Sequence, residues 1–295
     1  MTAQEIDAEV IGERRHLLSL AFRMLGTVAE AEDAVQETYI RWYRMSQAQR
    51  DAVEVPRAWL TRVASRVCLD VLGSARVRRE RYVGPWLPEP VPSLAFTDPA
   101  LDDPADRATL DESISTAMLV VLESMTPAER VAFVLHDVFA MPFGEIAEVV
   151  GRTPAACRQL ATSARRRVHG ARSGRVPRAA HDAAVRAFAA AARAGDLTGL
   201  ITALDPDVVL RSDGGGLVRA ALHPVRGSDK VARFLLGTLR KNPAKEVLEL
   251  ETPDGLGFAV WVEGRVVGVV TLEVTTDRIT DVRMVVNPEK LTLWN

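Results

Sequence analysis

FGEIAEVVGRTPAACRQLATSARRRV, Phe143 to Val168, holds two short helical patterns separated only by Gly151, Arg152 and Thr153. Ala147 supplies a small residue where two helices cross, and Gly151 suits a sharp turn. Cys157, Leu160, Ala161, Ala164 and Val168 recur at helical spacing and give the second helix an apolar back. That choice of face turns Arg158, Gln159, Thr162, Arg165, Arg166 and Arg167 outward. Arginine, glutamine and threonine are donors to base edges and phosphates, so the pattern predicts a helix-turn-helix whose second helix enters a DNA major groove. Any compact helical pair packs similarly, so the motif has to be weighed with its surroundings.

Immediately upstream, Thr126, Pro127 and Glu129 supply a cap, a first-turn proline and a capping-box acid. Ile114, Ala117, Met118, Val121 and Leu122 line one face of a preceding helix, which completes an all-α unit over residues 112–172. The formal net charge of −2 looks wrong for a DNA binder, because phosphate neutralisation dominates such affinity. Distribution matters more. From Arg152 to Arg178 there are eight arginines and no acid, and a second basic run spans Arg57 to Arg81. Between them lie Asp98, Asp102, Asp103, Asp106, Asp111 and Glu112, so two basic surfaces hide in a neutral total.

The N-terminal part, residues 1–82, reads as three helices. Leu17, Leu20, Ala21, Met24 and Leu25 precede Gly26 as a stop, and Thr27 with Glu30 caps the next helix. Val28, Ala31, Val35, Tyr39 and Trp42 form that helix's apolar stripe. Opposite it stand Asp33, Gln36, Glu37, Arg41 and Arg44, a solvated face or a helix-docking face. The third helix starts at Pro56 and ends before Gly73, burying Leu60, Val63, Ala64, Val67 and Val71. Arg62, Arg66 and Asp70 recur every four residues away from that core, and Arg76, Arg78 and Arg79 extend the charge beyond it. Such a strip can follow phosphates, while Trp59 reads as core rather than a stacking group.

Residues 83–111 have no period and contain six prolines, the composition of an extended linker. After a hinge at Gly174 to Arg178, an Ala-rich helix runs to Ala194 and another spans Lys230 to Leu239. The period then changes: Val247–Leu250, Phe258–Val262, Val266–Val274 and Ile279–Val286 are β-branched and partly alternating, with turns at Glu263-Gly264 and Thr276-Asp277. The expectation for 178–295 is an α+β unit with a curved antiparallel sheet.

Several classes are set aside. No apolar run approaches the roughly 20 residues of a membrane span. The polar, acidic start lacks the features of a secretory signal, which points to the cytoplasm. Cys68 and Cys157 have no second thiol or His cluster nearby, so no metal, cofactor or disulfide is expected and both read as helix core. Acid-base chemistry in the last unit would fall to His223 and Asp213, but Asp213 precedes three glycines and reads equally as a turn residue.

AEDAVQETYIRWYR (Ala31–Arg44), PRAWLTRVASRVCLDVLGSARVRRE from Pro56 and MTPAERVAF onward from Met125 resemble, in order, the core-binding helix, the promoter-melting segment and the sigma-4 domain of extracytoplasmic-function sigma factors. WLPEP (Trp86–Pro90), DGGG (Asp213–Gly216) and NPEKL (Asn287–Leu291) resemble the subgroup with a fused C-terminal SnoaL-like domain, a cone-shaped α+β fold. The resemblance implies a non-enzymatic chain that binds core RNA polymerase and promoter DNA. Asp33, Gln36 and Glu37 would meet the clamp helices of the polymerase large subunit. Arg62, Arg66 and Asp70, with Arg76, Arg78 and Arg79, would lie at the minus-ten element; many relatives carry Asn where this chain has Arg66. Arg158, Gln159, Thr162 and Arg165 would face the minus-thirty-five element, with Arg166 and Arg167 nearer phosphate. Trp86, Leu87 and Pro88 would dock near Asp213, Gly214 and Gly215 or Asn287 and Pro288, making the last domain an intramolecular regulator. A small ligand of unknown identity in the cone is the remaining partner to consider. The reading from another class is a helix-turn-helix repressor fused to a SnoaL-like enzyme or ligand sensor, which would bind its operator without polymerase.

Overall fold

The computed structural model describes residues 10–80, 82–93, 95–96, 113–172, 174–241 and 244–295, with side chains for all of these except 75–80 and 172. They form two compact units. One holds the described parts of Met1–Glu80, Leu94–Ile114 and Met118–Ala171; the other holds those of Arg81–Ser93, Ser115–Ala117 and Arg172–Asn295.

The first unit is helical. α1 (Arg14–Leu25) ends on Gly26, whose φ of 82° lets its N–H reach back to the Phe22 carbonyl. α2 (Val28–Tyr43) starts where the Thr27 hydroxyl accepts the Glu30 N–H, and it buries Ala31, Ala34, Val35, Thr38 and Trp42. After the short α3 (Gln47–Asp51), α4 runs from Pro56 to Glu80. It does not stop at Gly73: that glycine lies within the helix, since a glycine there costs only about 1 kcal/mol and breaks no hydrogen bond. Leu17, Leu20, Phe22 and Met24 of α1, Trp42 of α2 and Leu60 of α4 are fully buried together with Cys68. Trp59 meets Trp42 edge-on at 5.1 Å between centroids, a core contact.

α5 (Thr116–Glu123) and α6 (Pro127–Phe133) follow, α6 with the complete Thr126–Glu129 capping box. A π-helical turn, Val134–Val138, leads to α7 (Phe143–Val150) and α8 (Pro154–Arg172). Two buried arginines tie α1 to this region. Arg130 donates to the carbonyls of Met24, at 2.8 Å, and Leu122, at 2.9 Å, and pairs with Glu123. It thereby satisfies an orphan carbonyl at the end of α1. Arg23 donates to the Ser113 hydroxyl at 2.6 Å and to Ser19. Buried cations need such full pairing, because an unpaired one costs several kcal/mol.

In the second unit, α9 (Arg178–Ala194), α10 (Leu197–Ala203) and α11 (Ser228–Arg240) pack on a six-stranded sheet. Its strands are β1 (Leu204–Asp213), β2 (Val225–Arg226), β3 (Glu246–Thr252), β4 (Gly255–Val262), β5 (Arg265–Thr275) and β6 (Arg278–Val285), ordered β2-β1-β6-β5-β4-β3. The sheet is mixed: β1 runs parallel to β6, while every other pairing is antiparallel. Phe188, Leu200, Leu210, Val231, Phe258 and Val282 are among the side chains that fill the space between helices and sheet. Glu263 and Gly264 both have positive φ, as a two-residue hairpin turn requires. The parallel register sets Asp213 opposite Val285, and this pairing positions the site described next.

Candidate nucleic-acid and polymerase interfaces

On α2, burial of Ala31, Ala34, Val35 and Thr38 leaves Asp33 and Gln36 exposed, while Glu37 is half-buried and pairs with Arg41 at 2.9 Å. A groove of about 610 Å³ lies alongside, lined by Gln36 with Arg14, Glu32, Tyr39, Ile40 and Tyr43 among others. Asp33 and Glu37 stand outside that lining. The aromatic floor is what periodicity misses: Tyr39 reads as core, yet it is half-buried in the groove wall and donates to the Val10 carbonyl at 3.1 Å. Burial pushes its phenol up to about 12, so it remains a donor.

On α4, Arg62 is half-buried, and Arg66 and Asp70 are exposed. Arg62 pairs with the Glu148 carboxylate at 3.0 Å, and Arg66 donates to the Glu148 backbone carbonyl at 2.9 Å. Two members of the strip are thus held by α7. The side chains of Arg76, Arg78 and Arg79 lie outside the described residues.

The helix-turn-helix is built as its residues dictate. Gly151, at φ 67°, closes α7 onto the Ala147 carbonyl, and the Thr153 hydroxyl accepts the Ala156 N–H. Cys157, Ala161, Ala164 and Val168 are buried behind α8, whereas Leu160 is only partly covered. Arg158, Gln159, Thr162, Arg166 and Arg167 are exposed. Arg165 pairs with Asp137 at 2.5 Å, and the Arg158 guanidinium lies 5.2 Å from the centre of the Phe143 ring. Burial opposes ionisation of Glu129, but hydrogen bonds from Thr126 and Ser163, with Arg167 nearby, outweigh it and hold the carboxyl below its usual value.

In the second unit, Asp213 is fully buried and its carboxylate is saturated. Oδ1 accepts the Tyr82 hydroxyl at 2.6 Å and the Gly215 N–H at 3.1 Å; Oδ2 accepts the Leu87 N–H at 2.8 Å and the Lys290 ammonium at 2.8 Å. Lys290 also donates to the Leu87 carbonyl at 2.6 Å and sits 4.2 Å from the centre of the Trp86 ring. Asn287 completes the ring of contacts, donating to the Tyr82 hydroxyl, and its backbone N–H reaches the Asp213 carbonyl. Leu87 and Pro88 are buried, Pro288 opens a short 3-10 turn, and Trp294 donates to the Pro90 carbonyl at 2.8 Å. The glycines have steric reasons. A Cβ on Gly215 would stand 2.4 Å from the Asn287 amide, and one on Gly214 would stand 2.6 Å from the Val218 carbonyl. Tyr82 is the member that no motif marks; Lys290 lies inside NPEKL, but its pairing with Asp213 is not readable from spacing. With four donors in place Asp213 has no spare lone pair for proton transfer, and His223 is exposed.

A helical region with an aromatic-lined groove, a helix-turn-helix with a basic outer face and an α+β domain after them fit an initiation factor of the sigma type. The chain belongs to the extracytoplasmic-function RNA polymerase sigma factors. Residues 11–81 match the model of Sigma-70 region 2, and residues 115–168 match that of Sigma-70 region 4. The ECF RNA polymerase sigma factor SigJ of Mycobacterium tuberculosis is 47% identical over 230 residues, covering 77% of this chain and 71% of the relative. A probable ECF RNA polymerase sigma factor, SigI, of the same species is 36% identical over 282 residues, 94% of this chain and 92% of the relative. The crystal structure of SigJ superposes with a TM-score of 0.72 at 39% identity, covering 97% of this chain and 98% of that one. The family is not enzymatic, and it directs transcription initiation through core polymerase and promoter DNA. No helix among the described residues is long and apolar enough to cross a membrane.

Proposed function

We propose that the α+β domain regulates the sigma factor from within, by holding the linker that follows α4. The observation that carries this is the buried Asp213–Lys290 pair closed over the backbone of Leu87 and the ring of Trp86. A linker serving only as a tether needs neither a stacked tryptophan nor a backbone amide spent on a buried carboxylate. Residues 1–82 act as the sigma-2 domain, 83–111 as the linker, 112–172 as the sigma-4 domain and 178–295 as the regulator. Asp33, Gln36 and Glu37 contact polymerase beside the aromatic groove. Arg62, Arg66 and Asp70 serve the minus-ten element, with Arg76, Arg78 and Arg79 beyond them. Arg158, Gln159, Thr162 and Arg165 read the minus-thirty-five element, and Arg166 and Arg167 track phosphate.

Run-off transcription from purified core tests the regulatory assignment. Trp86→Ala and Lys290→Met should each alter promoter output while leaving affinity for core intact, and their combination should add little, since both break one contact. Fully additive effects, or wild-type output from both, would refute it.

A further inference from the structure

The π-helical turn at Val134–Val138 has a local consequence that base reading by α8 does not require of itself. In a π turn the hydrogen bond spans five residues, seen here as the Phe139 N–H on the Val134 carbonyl, and the extra residue re-aims the side chains that follow. Ala140, a non-glycine at φ 53°, completes the reversal into Met141. Two side chains of the turn are thereby brought toward the helix-turn-helix. Asp137 reaches Arg165, and the His136 ring stacks on Phe143 with centroids 4.0 Å apart and planes inclined by 27°. A bond between His136 Nδ1 and the Met141 carbonyl, 3.0 Å, fixes the imidazole. The Phe143 ring at the first position of α7 is thus stacked on His136, and it also carries the guanidinium of Arg158 at 5.2 Å.

Bidentate base reading by arginine depends on the plane of its guanidinium, and an exposed arginine otherwise loses rotamer freedom when it docks. A cation held over an aromatic face has part of that freedom removed beforehand. We propose that Phe143, backed by His136, is a positioning residue for specificity: it pre-orients Arg158 for one base pair of the minus-thirty-five element. This rests on the assignment of α8 as the base-reading helix. Phe143 itself touches no base; it acts through Arg158.

The test uses holoenzyme assembled from the full chain and core polymerase, on promoter fragments recovered by footprinting genomic DNA and then substituted one base pair at a time. Arg158→Ala identifies the base pair that Arg158 reads. Phe143→Leu keeps the apolar bulk but removes the π face, and it should lower preference at that same base pair by about 2- to 5-fold, with other positions and core affinity unchanged. Phe143→Tyr should restore the preference, His136→Leu should lower it by a smaller factor, and Phe143→Leu with Arg158→Ala should discriminate no worse than Arg158→Ala alone. Phe143→Leu that weakens all elements equally, leaves preference untouched or adds to Arg158→Ala overturns the proposal. If Arg158→Ala relaxes no base pair, the assignment of α8 fails first, a result visible without any Phe143 variant, and the proposal is rejected with it.

Discussion

Asp213→Ala strikes the centre of the linker-holding site. In the wild type the carboxylate receives Tyr82, Gly215, Leu87 and Lys290, and it is fully buried. Removing it takes the paired carboxylate away from the Lys290 ammonium, which is 5% exposed and also meets the Leu87 carbonyl and the faces of Trp86 and Tyr82. Breaking one side of a buried pair costs about 3–5 kcal/mol, and the orphaned Leu87 N–H and Tyr82 hydroxyl lie within that figure rather than on top of it. For a domain of roughly 150 residues each kcal/mol moves the midpoint by about 3 °C, so the transition of this unit should fall by about 10–15 °C. Scanning calorimetry reads the midpoint, and hydrogen exchange of the Leu87 amide reports the site itself. Adding Lys290→Met removes the buried charge whose counter-ion is gone and should recover about half of the loss. A midpoint within 2 °C of wild type, or a double variant whose loss is the sum of the two single losses, would show that the pair does not hold this site together.

Two other perturbations follow from the first unit. Burial, with Arg57 and Arg23 nearby, lowers the His16 pKa from 6.5 to about 4. The unfolded chain therefore takes up a proton near pH 6.5 that the folded one refuses until about pH 4, so stability present at pH 7 is lost as pH falls through that window. The loss should be roughly 2 kcal/mol between pH 7 and pH 5, and urea unfolding of His16→Gln beside wild type should show it removed; equal slopes for the two proteins would contradict the shift. Asp33→Ala with Glu37→Ala should weaken core binding in a titration while the thermal midpoint moves little, because Asp33 is exposed and the Glu37–Arg41 pair is a surface i,i+4 pair worth about 0.5 kcal/mol; unchanged core affinity would sink that assignment.

Much of the helical architecture was legible because its signals are local. Pro56, Gly26, Gly151 and the Thr126–Glu129 box mark helix ends where the structure has them. The end of α4 was not, since a single glycine does not stop a helix once neighbouring turns are formed. β1 was not legible either: it begins with the polar run Asp205-Pro206-Asp207, and its partner β6 lies some seventy residues away, so only tertiary pairing defines it. The candidate surfaces show the same division. Exposure of Arg158, Gln159 and Thr162 follows from the period of α8, whereas the hold of Glu148 on Arg62 and Arg66 depends on how two distant helices pack. Motif resemblance marked the segments that hold Trp86, Asp213, Asn287 and Lys290, but Tyr82 and the pairing of Lys290 with Asp213 emerged only from geometry, because a buried ion pair leaves no periodic trace.

The central claim is that this chain recognises promoters as a subunit of RNA polymerase. Gel shifts of one footprinted promoter fragment, with the full chain alone, core alone and the two together, test it most directly. A tight, sequence-specific complex is expected only when chain and core are both present; specific binding by the chain alone, unaffected by core, would contradict that and favour a repressor.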